Sequence, residues 1–273
     1  MSDVAEYPVI APTARIAPTA PTARIEQVRP APPAVVTAGA AVVEKRPGTH
    51  CSNCSMRTIC MPQGLSPLEM ERLDSIICST RMVKHGEALY RANDPFQSIY
   101  AVRAGSFKTV VMHRDGREQV TGFQLAGDTL GLDGVGAGHH GCDAIAIEDS
   151  SVCIIPFGLL EVLCREVKPV QQHVHKLMST EIVRESVLMM LLGTMSAEQR
   201  VAAFLLNLSG RLKARGYSSA EFNLRMTREE IGSYLGMKLE TVSRMFSKFQ
   251  KEGLVDARGK QIRILDSNGL AEL

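Results

Sequence analysis

The sequence predicts an α+β fold: a small antiparallel β-barrel or jelly roll, then one long helix, then a winged helix-turn-helix. Three observations carry this. Short β-prone runs alternate with glycine-rich turns between about Arg81 and Phe157, apolar residues then recur at helical spacing from Val170 to Leu192, and the last stretch divides into short helices followed by a β-hairpin. At 273 residues the chain has room for about two units. A hydrophobic content of 45% with 22% charged residues is ordinary globular composition. No apolar run approaches the roughly 20 residues that cross a bilayer, so a membrane-spanning protein is excluded. The first residues lack a cationic start followed by an apolar stretch, so no secretory signal is read and a cytoplasmic location is expected.

The predicted organisation has four parts. Residues 1–48 form a disordered Pro/Ala-rich tail, 49–167 a cysteine-bearing segment and the barrel, 168–194 the long helix, and 195–269 the winged helix-turn-helix. The first fifty residues hold 8 of the 13 prolines and repeat Pro-Thr-Ala-Arg-Ile at 12–16 and 21–25. Such a segment cannot build a core, and no chemistry is assigned to it. In the barrel, Ser98–Arg103, Phe107–Met112 and Ser151–Ile155 read as strands, and Asp115-Gly116 is a hairpin signal.

After Lys168-Pro169 the residues Val170, Val174, Leu177, Met178, Ile182, Met189 and Leu192 form an apolar seam. A helix this long has more seam than packing against the barrel requires, which predicts a coiled-coil-like contact with a second copy of the chain through Ile182 and Met189. Glu181 and Glu185 sit close to that seam. In a symmetric pair each would approach its own copy, making the association weak and adjustable.

The C-terminal part opens with Ser196-Ala-Glu-Gln199, a capping box, and Thr227-Arg-Glu-Glu230 is another. A helix to about Leu235, a turn at Gly236-Met-Lys238, a helix from Leu239 to Glu252 and a hairpin through Gln261–Leu265 complete the winged helix. In the second helix Glu240, Ser243 and Arg244 share one face. Arginine can grip the guanine O6/N7 edge, glutamate can accept from cytosine N4 and serine can serve either, as a major-groove recognition helix requires. Thr241, Lys248, Lys251, Arg258 and Lys260 suit phosphate contacts. Charge agrees: residues 195–273 carry 13 basic and 9 acidic groups, whereas residues 51–194 carry 13 and 16.

Seven cysteines in a reducing compartment need another explanation than disulfides. Cys51, Cys54 and Cys60 follow a C-x2-C-x5-C spacing and need a fourth ligand from Cys78, Cys142, Cys153 or Cys164. Cys78 and Cys164 read as helical small hydrophobes. Cys142, beside His139-His140, could belong to a separate metal site, although a glycine-rich loop with incidental histidines is the plainer reading. Spacing alone does not choose between the candidates. A loose cysteine loop plus one distant cysteine suits an iron–sulfur cluster better than the paired knuckles of zinc, which stays the alternative as a zinc-stabilised regulator of another effector. The barrel raises the question of a cyclic nucleotide, yet no Arg or Lys occurs between Glu118 and Leu163 to meet a buried phosphate, so none is expected. No catalytic constellation is found, and the chain is not expected to be an enzyme.

Barrel, long helix and winged helix in that order resemble the CRP superfamily of bacterial regulators. The cysteine spacing, Gln119-Val-Thr-Gly-Phe123, Ala126-Gly-Asp128, Gly138-His-His140, Val152-Cys153, Ile155-Pro-Phe157 and Glu240-Thr-Val-Ser-Arg244 are similar to its FNR branch, the oxygen-responsive fumarate and nitrate reduction regulators. The resemblance covers nearly everything from residue 51 onward. It implies a cyclic-nucleotide-binding-like sensor barrel and selects Cys153 as fourth ligand, so that Cys51, Cys54, Cys60 and Cys153 hold one [4Fe-4S] cluster per subunit. It further implies a homodimer joined by the long helix with Glu185 at an acidic interface position. Such a dimer activates or represses genes of anaerobic metabolism by binding double-stranded DNA at palindromic TTGAT-like half-sites. RNA polymerase would touch the hairpin at Gly116, Arg117 and Glu118, where Arg117 departs from the acidic residue common in the family.

Overall fold

The structure is a computed structural model that describes residues 51, 54, 56–77, 79–113 and 115–273. The predicted tail and Cys78 lie outside the described residues. The chain opens with a single helical turn, α1 (Arg57–Cys60), then α2 (Pro67–Ile76). Helix α2 begins where the backbone of Glu69 is capped by the Ser66 hydroxyl and the Glu69 carboxylate returns to the Ser66 amide, with Pro67 in the first turn. That third capping box was not singled out in the sequence.

The barrel strands follow: β1 (Ser79–Val83), β2 (Ala88–Tyr90), β3 (Ser98–Ala104), β4 (Ser106–Met112), β5 (Glu118–Leu125), β6 (Thr129–Leu130), β7 (Asp143–Ala146) and β8 (Ser150–Pro156). Among the described residues they make two antiparallel sheets, ordered β1-β8-β3-β6 and β2-β7-β4-β5. Strands β3, β4 and β8 are the three runs read from sequence. The two- and three-residue strands β6 and β2 are too short to show a period of two. The β4–β5 hairpin closes at His113–Arg117, with Gly116 at φ +85°.

Strand β8 is paired on both edges, Cys153 lying opposite Thr80 of β1 and Ala101 of β3. Its pleat sends Val152 into the barrel core with Phe107 and Val102, and turns Cys153 and Ile155 to the opposite face. There they meet α3 (Phe157–Glu166) and the start of α4 (Lys168–Thr194). Helix α4 has the predicted bounds. Its Val170 and Leu191 are buried, while Ile182 and Met189 are 64% and 67% exposed.

The remaining elements are α5 (Ala197–Lys213), β9 (Glu221–Asn223), α6 (Arg228–Tyr234), α7 (Leu239–Lys251), β10 (Val255–Arg258), β11 (Gln261–Ile264) and α8 (Ser267–Ala271). Both predicted capping boxes form, on α5 and α6. Gly236 takes φ +63° in the turn between α6 and α7, and a Cβ on Gly232 would stand 2.6 Å from the Met237 carbonyl oxygen, so only glycine lets the helices cross this closely. The predicted end at residue 269 falls inside α8, whose Leu270 is buried against the core.

One apolar core runs from the barrel into the winged helix, joining Val120, Phe123 and Leu125 of β5 to Phe204, Leu205 and Leu235. Polar contacts cross the same junction. Lys108 donates to Glu230 at 2.8 Å, the Ser233 hydroxyl accepts the Val120 amide at 2.9 Å, and Gln119 donates to the Ser233 carbonyl. The boundary after residue 194 therefore divides the chain but not the packing.

Candidate metal centre and nucleic-acid interface

The cysteine segment is short and tethered at both ends. The Cys51 amide donates to Asp74 Oδ1 of α2 at 2.7 Å, the Cys54 amide to the Cys51 carbonyl at 3.2 Å, and the single turn of α1 brings Cys60 back toward the barrel. The result is a small cavity lined by Cys51, Cys54, Cys60 and Cys153, with Ala101, Ile77 and Ile155 as its apolar wall. Three of these thiols come from the segment and the fourth from the middle of a doubly paired strand.

Burial pushes the Cys60 thiol up to about 11, with Cys54 and Cys153 adding to the rise. It also raises Cys51, which faces the charge of Asp74, Cys153 and Cys60, and Cys153, where Arg103 opposes the shift. Four thiols that would repel one another as thiolates are brought together, Cys51 buried and the other three half-buried, and a cation that binds sulfur relieves both costs. The donor set thus fits an iron–sulfur group. Among the described residues no three His, Cys, Asp or Glu side chains converge on a single-ion site; these sulfurs surround a space.

The other candidates are placed apart from this cavity. Cys142 sits in the barrel core beside Asp133, its thiol raised to about 12 by burial and that carboxylate. His140 is 2% exposed and stacked on Tyr90 with ring centroids 3.7 Å apart, which makes it a core side chain. Cys164 packs in the apolar layer between α3 and its neighbours.

Glu240, Ser243 and Arg244 all stand exposed on one face of α7, and the opposite face buries Val242, Phe246 and Phe249. Arg244 donates to the Thr241 hydroxyl at 3.2 Å. Lys248 is engaged by Glu198 at 2.6 Å and by Glu252 at 3.7 Å. The Arg228 guanidinium lies 3.3 Å over the Phe246 ring, and burial lowers it to about 10, so it stays charged at neutral pH. Gly116, Arg117 and Glu118 are exposed at the hairpin tip, where Arg117 pairs with Asp115 at 2.7 Å.

Glu181 lies beside the seam residues Met178, Ile182 and Met189, as expected, and it has a partner of its own. It is half-buried and paired with Arg184 at 2.9 Å within its own chain, so only Glu185 of the two remains exposed near the seam. A second cavity, of about 680 Å³, lies between the barrel and α4 and is lined by Thr109, Thr121, Gln124, Asp133, Glu181 and Glu185 among others, with no Arg or Lys.

Sequence reasoning missed the groups that support the site. They include Asp74, which accepts from the Cys51 amide, and His173 of α4, which lies near the Cys60 backbone and whose pKa burial holds down. They also include Arg211 and Arg215, one helical turn apart at the end of α5, where basic residues are unremarkable until their partner on the barrel is known.

Residues 80–167 match the cyclic nucleotide-binding domain family and residues 199–273 the Crp-like helix-turn-helix domain family. The chain is 45% identical to transcriptional regulatory protein btr of Bordetella pertussis over 82% of this chain and 93% of that one. It is 43% identical to transcriptional activator protein anr of Pseudomonas aeruginosa over 85% and 95%. It is also 43% identical to the fumarate and nitrate reduction regulatory protein of Escherichia coli K12 over 82% and 90%. FixK2 from Bradyrhizobium japonicum is a similar solved structure, with TM-score 0.67 and 31% identity over 71% of this chain and 96% of that one. These relatives are regulators rather than enzymes, and with its barrel, long helix and Crp-like helix-turn-helix the chain belongs to the CRP/FNR family of transcriptional regulators, in its FNR branch.

Proposed function

We propose that this regulator senses oxygen through one [4Fe-4S] cluster per subunit, held by Cys51, Cys54, Cys60 and Cys153. It binds palindromic TTGAT-like DNA as a homodimer when oxygen is absent, activating or repressing genes of anaerobic metabolism in the cytoplasm. The observation that carries the reading is the common cavity of those four thiols. When bound, the cluster supplies an iron–sulfur core that oxygen can degrade.

The chain's own residues do the rest. With all four cysteines engaged, the 51–60 segment is held against β8, and Cys60 is held beside His173 of α4. Release of the thiols frees one side of α4. The exposed apolar side chains of Ile182 and Met189, one above the other on that helix, with Val183 and Val187 further round it, support pairing with a second copy, since burying one such side chain contributes about 1.5–3 kcal/mol. Repulsion between the two copies of exposed Glu185 keeps that pairing marginal and adjustable. Dimerisation brings two α7 helices to two half-sites, where Glu240, Ser243 and Arg244 read bases, with Thr241 and Lys248 on phosphate. In this reading the tip at Gly116, Arg117 and Glu118 touches RNA polymerase, with Arg117 altering that contact. The lining of the cavity beside α4 holds no Arg or Lys and so gives a cyclic nucleotide phosphate no cationic partner.

The test is an absorbance spectrum of anaerobically purified protein followed through air exposure, with iron and sulfide assayed. A broad band near 400 nm with about four irons per chain that fades in air is the expected result. Colourless, zinc-bearing protein after attempted reconstitution would replace the oxygen sensor with a zinc-stabilised regulator.

A further inference from the structure

The turn Ala126–Asp128, between β5 and β6, is where four parts of the molecule converge. Gly127 has φ +91°, and a Cβ built there would stand 2.6 Å from Cγ2 of Ile59, so the side chain preceding Cys60 rests directly on this turn. Met56, from the same segment, lines a crevice of about 530 Å³ with Ala126 of the turn and with Leu212 and Arg215 at the end of α5. The cysteine segment therefore comes close to the DNA-binding half of the chain at this turn.

The next residue carries the charge. Asp128 Oδ2 accepts from Arg211 at 2.5 Å and its Oδ1 from Arg215 at 2.6 Å, while Arg184 of α4 stands 3.9 Å from the same carboxylate. Both arginines, Arg211 in the last turn of α5 and Arg215 just after it, also grip backbone of the barrel, Arg211 the Phe123 carbonyl at 2.7 Å and Arg215 the Ala126 carbonyl at 2.6 Å. Asp128 and Arg215 are 12% and 6% exposed, so water screens this pair little. A carboxylate that near-simultaneously holds α5, faces α4 and follows the glycine under Ile59 is poised to couple all three.

We infer that Asp128 is a positioning residue: it converts the seating of the 51–60 segment on Gly127 into a fixed placement of α5, and with it the reading helix α7. The inference rests on the proposed oxygen-sensing reading and adds to it a second route from the cysteines to DNA that does not pass through the pairing of α4. Loss of the seat under Ile59 lets the turn shift, and buried arginines without their carboxylate release α5 from the barrel.

The test uses the full chain, loaded anaerobically and then exposed to air, as wild type and as Asp128→Asn. Iron and sulfide per chain and dimer mass are read first, because these report on the underlying sensing reading alone. Amide hydrogen exchange over residues 205–215 and affinity for a duplex with two inverted TTGAT half-sites are read next. In wild type, air is expected to raise exchange over 205–215 by about tenfold, within the usual range of coupling between sites. The Asp128→Asn protein is expected to keep its iron and dimer mass. Its exchange over 205–215 should already be fast and indifferent to air, and the duplex should bind about tenfold more weakly.

Wild-type contrast in exchange, or wild-type affinity, in an Asp128→Asn protein with intact iron and dimer overturns the inference. Should that variant not fold, Arg215→Lys keeps the charge but withdraws the two-nitrogen grip, and the same outcomes decide. If wild type carries no iron, the sensing reading fails on its own measurement. Ile59→Ala then scores the contact directly: faster exchange over 123–128 and 205–215 upholds the coupling, and no change refutes it.

Discussion

The Lys108 ammonium on β4 lies 2.8 Å from one oxygen of Glu230, whose other oxygen accepts the Thr227 amide at 2.7 Å and caps α6. One carboxylate thus starts the first helix of the helix-turn-helix and fastens it to the barrel, with both ends of the ion pair only 19% exposed. Glu230→Ala is expected to lose the cap, about 1 kcal/mol, and to strand a half-buried ammonium at a further cost of about 1–3 kcal/mol. Glu230→Gln retains the capping acceptor and should lose distinctly less. Urea unfolding of the metal-free protein measures both, and equal losses would contradict the double role.

Iron content should separate the cysteines by location. Cys51→Ser, Cys54→Ser, Cys60→Ser and Cys153→Ser are each expected to abolish stable iron and sulfide binding. Cys164→Ser, whose sulfur lies outside the cavity, should retain both. Cys142→Ser should also keep its iron, because its sulfur lies in the barrel core beside Asp133 and outside the cavity. A metal assay on the six purified proteins decides.

Substitutions on α7 should fall into two kinds. Arg244→Ala and Glu240→Ala are expected to cost about 1–3 kcal/mol on the preferred duplex and to relax base preference at one position each. Lys251→Ala should weaken all duplexes alike and reduce the salt dependence. Lys248→Ala should do so less than Lys251→Ala, since Glu198 and Glu252 already engage its ammonium. Titrations against duplexes altered one base pair at a time distinguish the kinds.

Acid should loosen the junction between barrel and winged helix. Burial alone would raise the Asp128 carboxyl, but Arg211 and Arg215 outweigh it and hold it below its ordinary value of 3.8; Lys108 and the capping amide likewise bring Glu230 below 4.5 despite burial. For groups depressed on folding, the stabilisation is complete above the ordinary values and disappears as pH falls through the lower folded ones. The urea midpoint should therefore drop as pH goes from about 5 to below 4, and Asp128→Asn should flatten part of that drop. A midpoint with the same acid slope in the variant would show that other carboxylates carry it.

The elements legible in the sequence are those whose signals are local. Thr227 and Glu230 announced a helix start, Gly236 a left-handed turn and Asp115-Gly116 a hairpin, and each is where it was expected. The reading face of α7 was legible for the same reason, because residues three and four apart share a side whatever surrounds them. Cys153 was not legible from spacing, since its place beside Cys60 depends on β8 being paired between β1 and β3. Resemblance selected it, and the cavity brings it together with the other three. The pairing of Asp128 with Arg211 and Arg215 stayed hidden because Asp128 is more than 80 residues from either arginine along the chain. The pairing of Glu181 with Arg184 was not read from the sequence, although the two are only three residues apart on α4.

Strand β8 is hydrogen-bonded along both edges, so the fourth thiol is set by the sheet, whereas the first three ride on a segment with one helical turn. On the proposed reading, emptying the site leaves its permanent half standing. A spent molecule then needs repair rather than resynthesis: ten residues must close again over a surface that never unfolded. A cell returning to anoxia could draw on regulators it already holds, and the speed of its response would be limited by cofactor supply instead of translation.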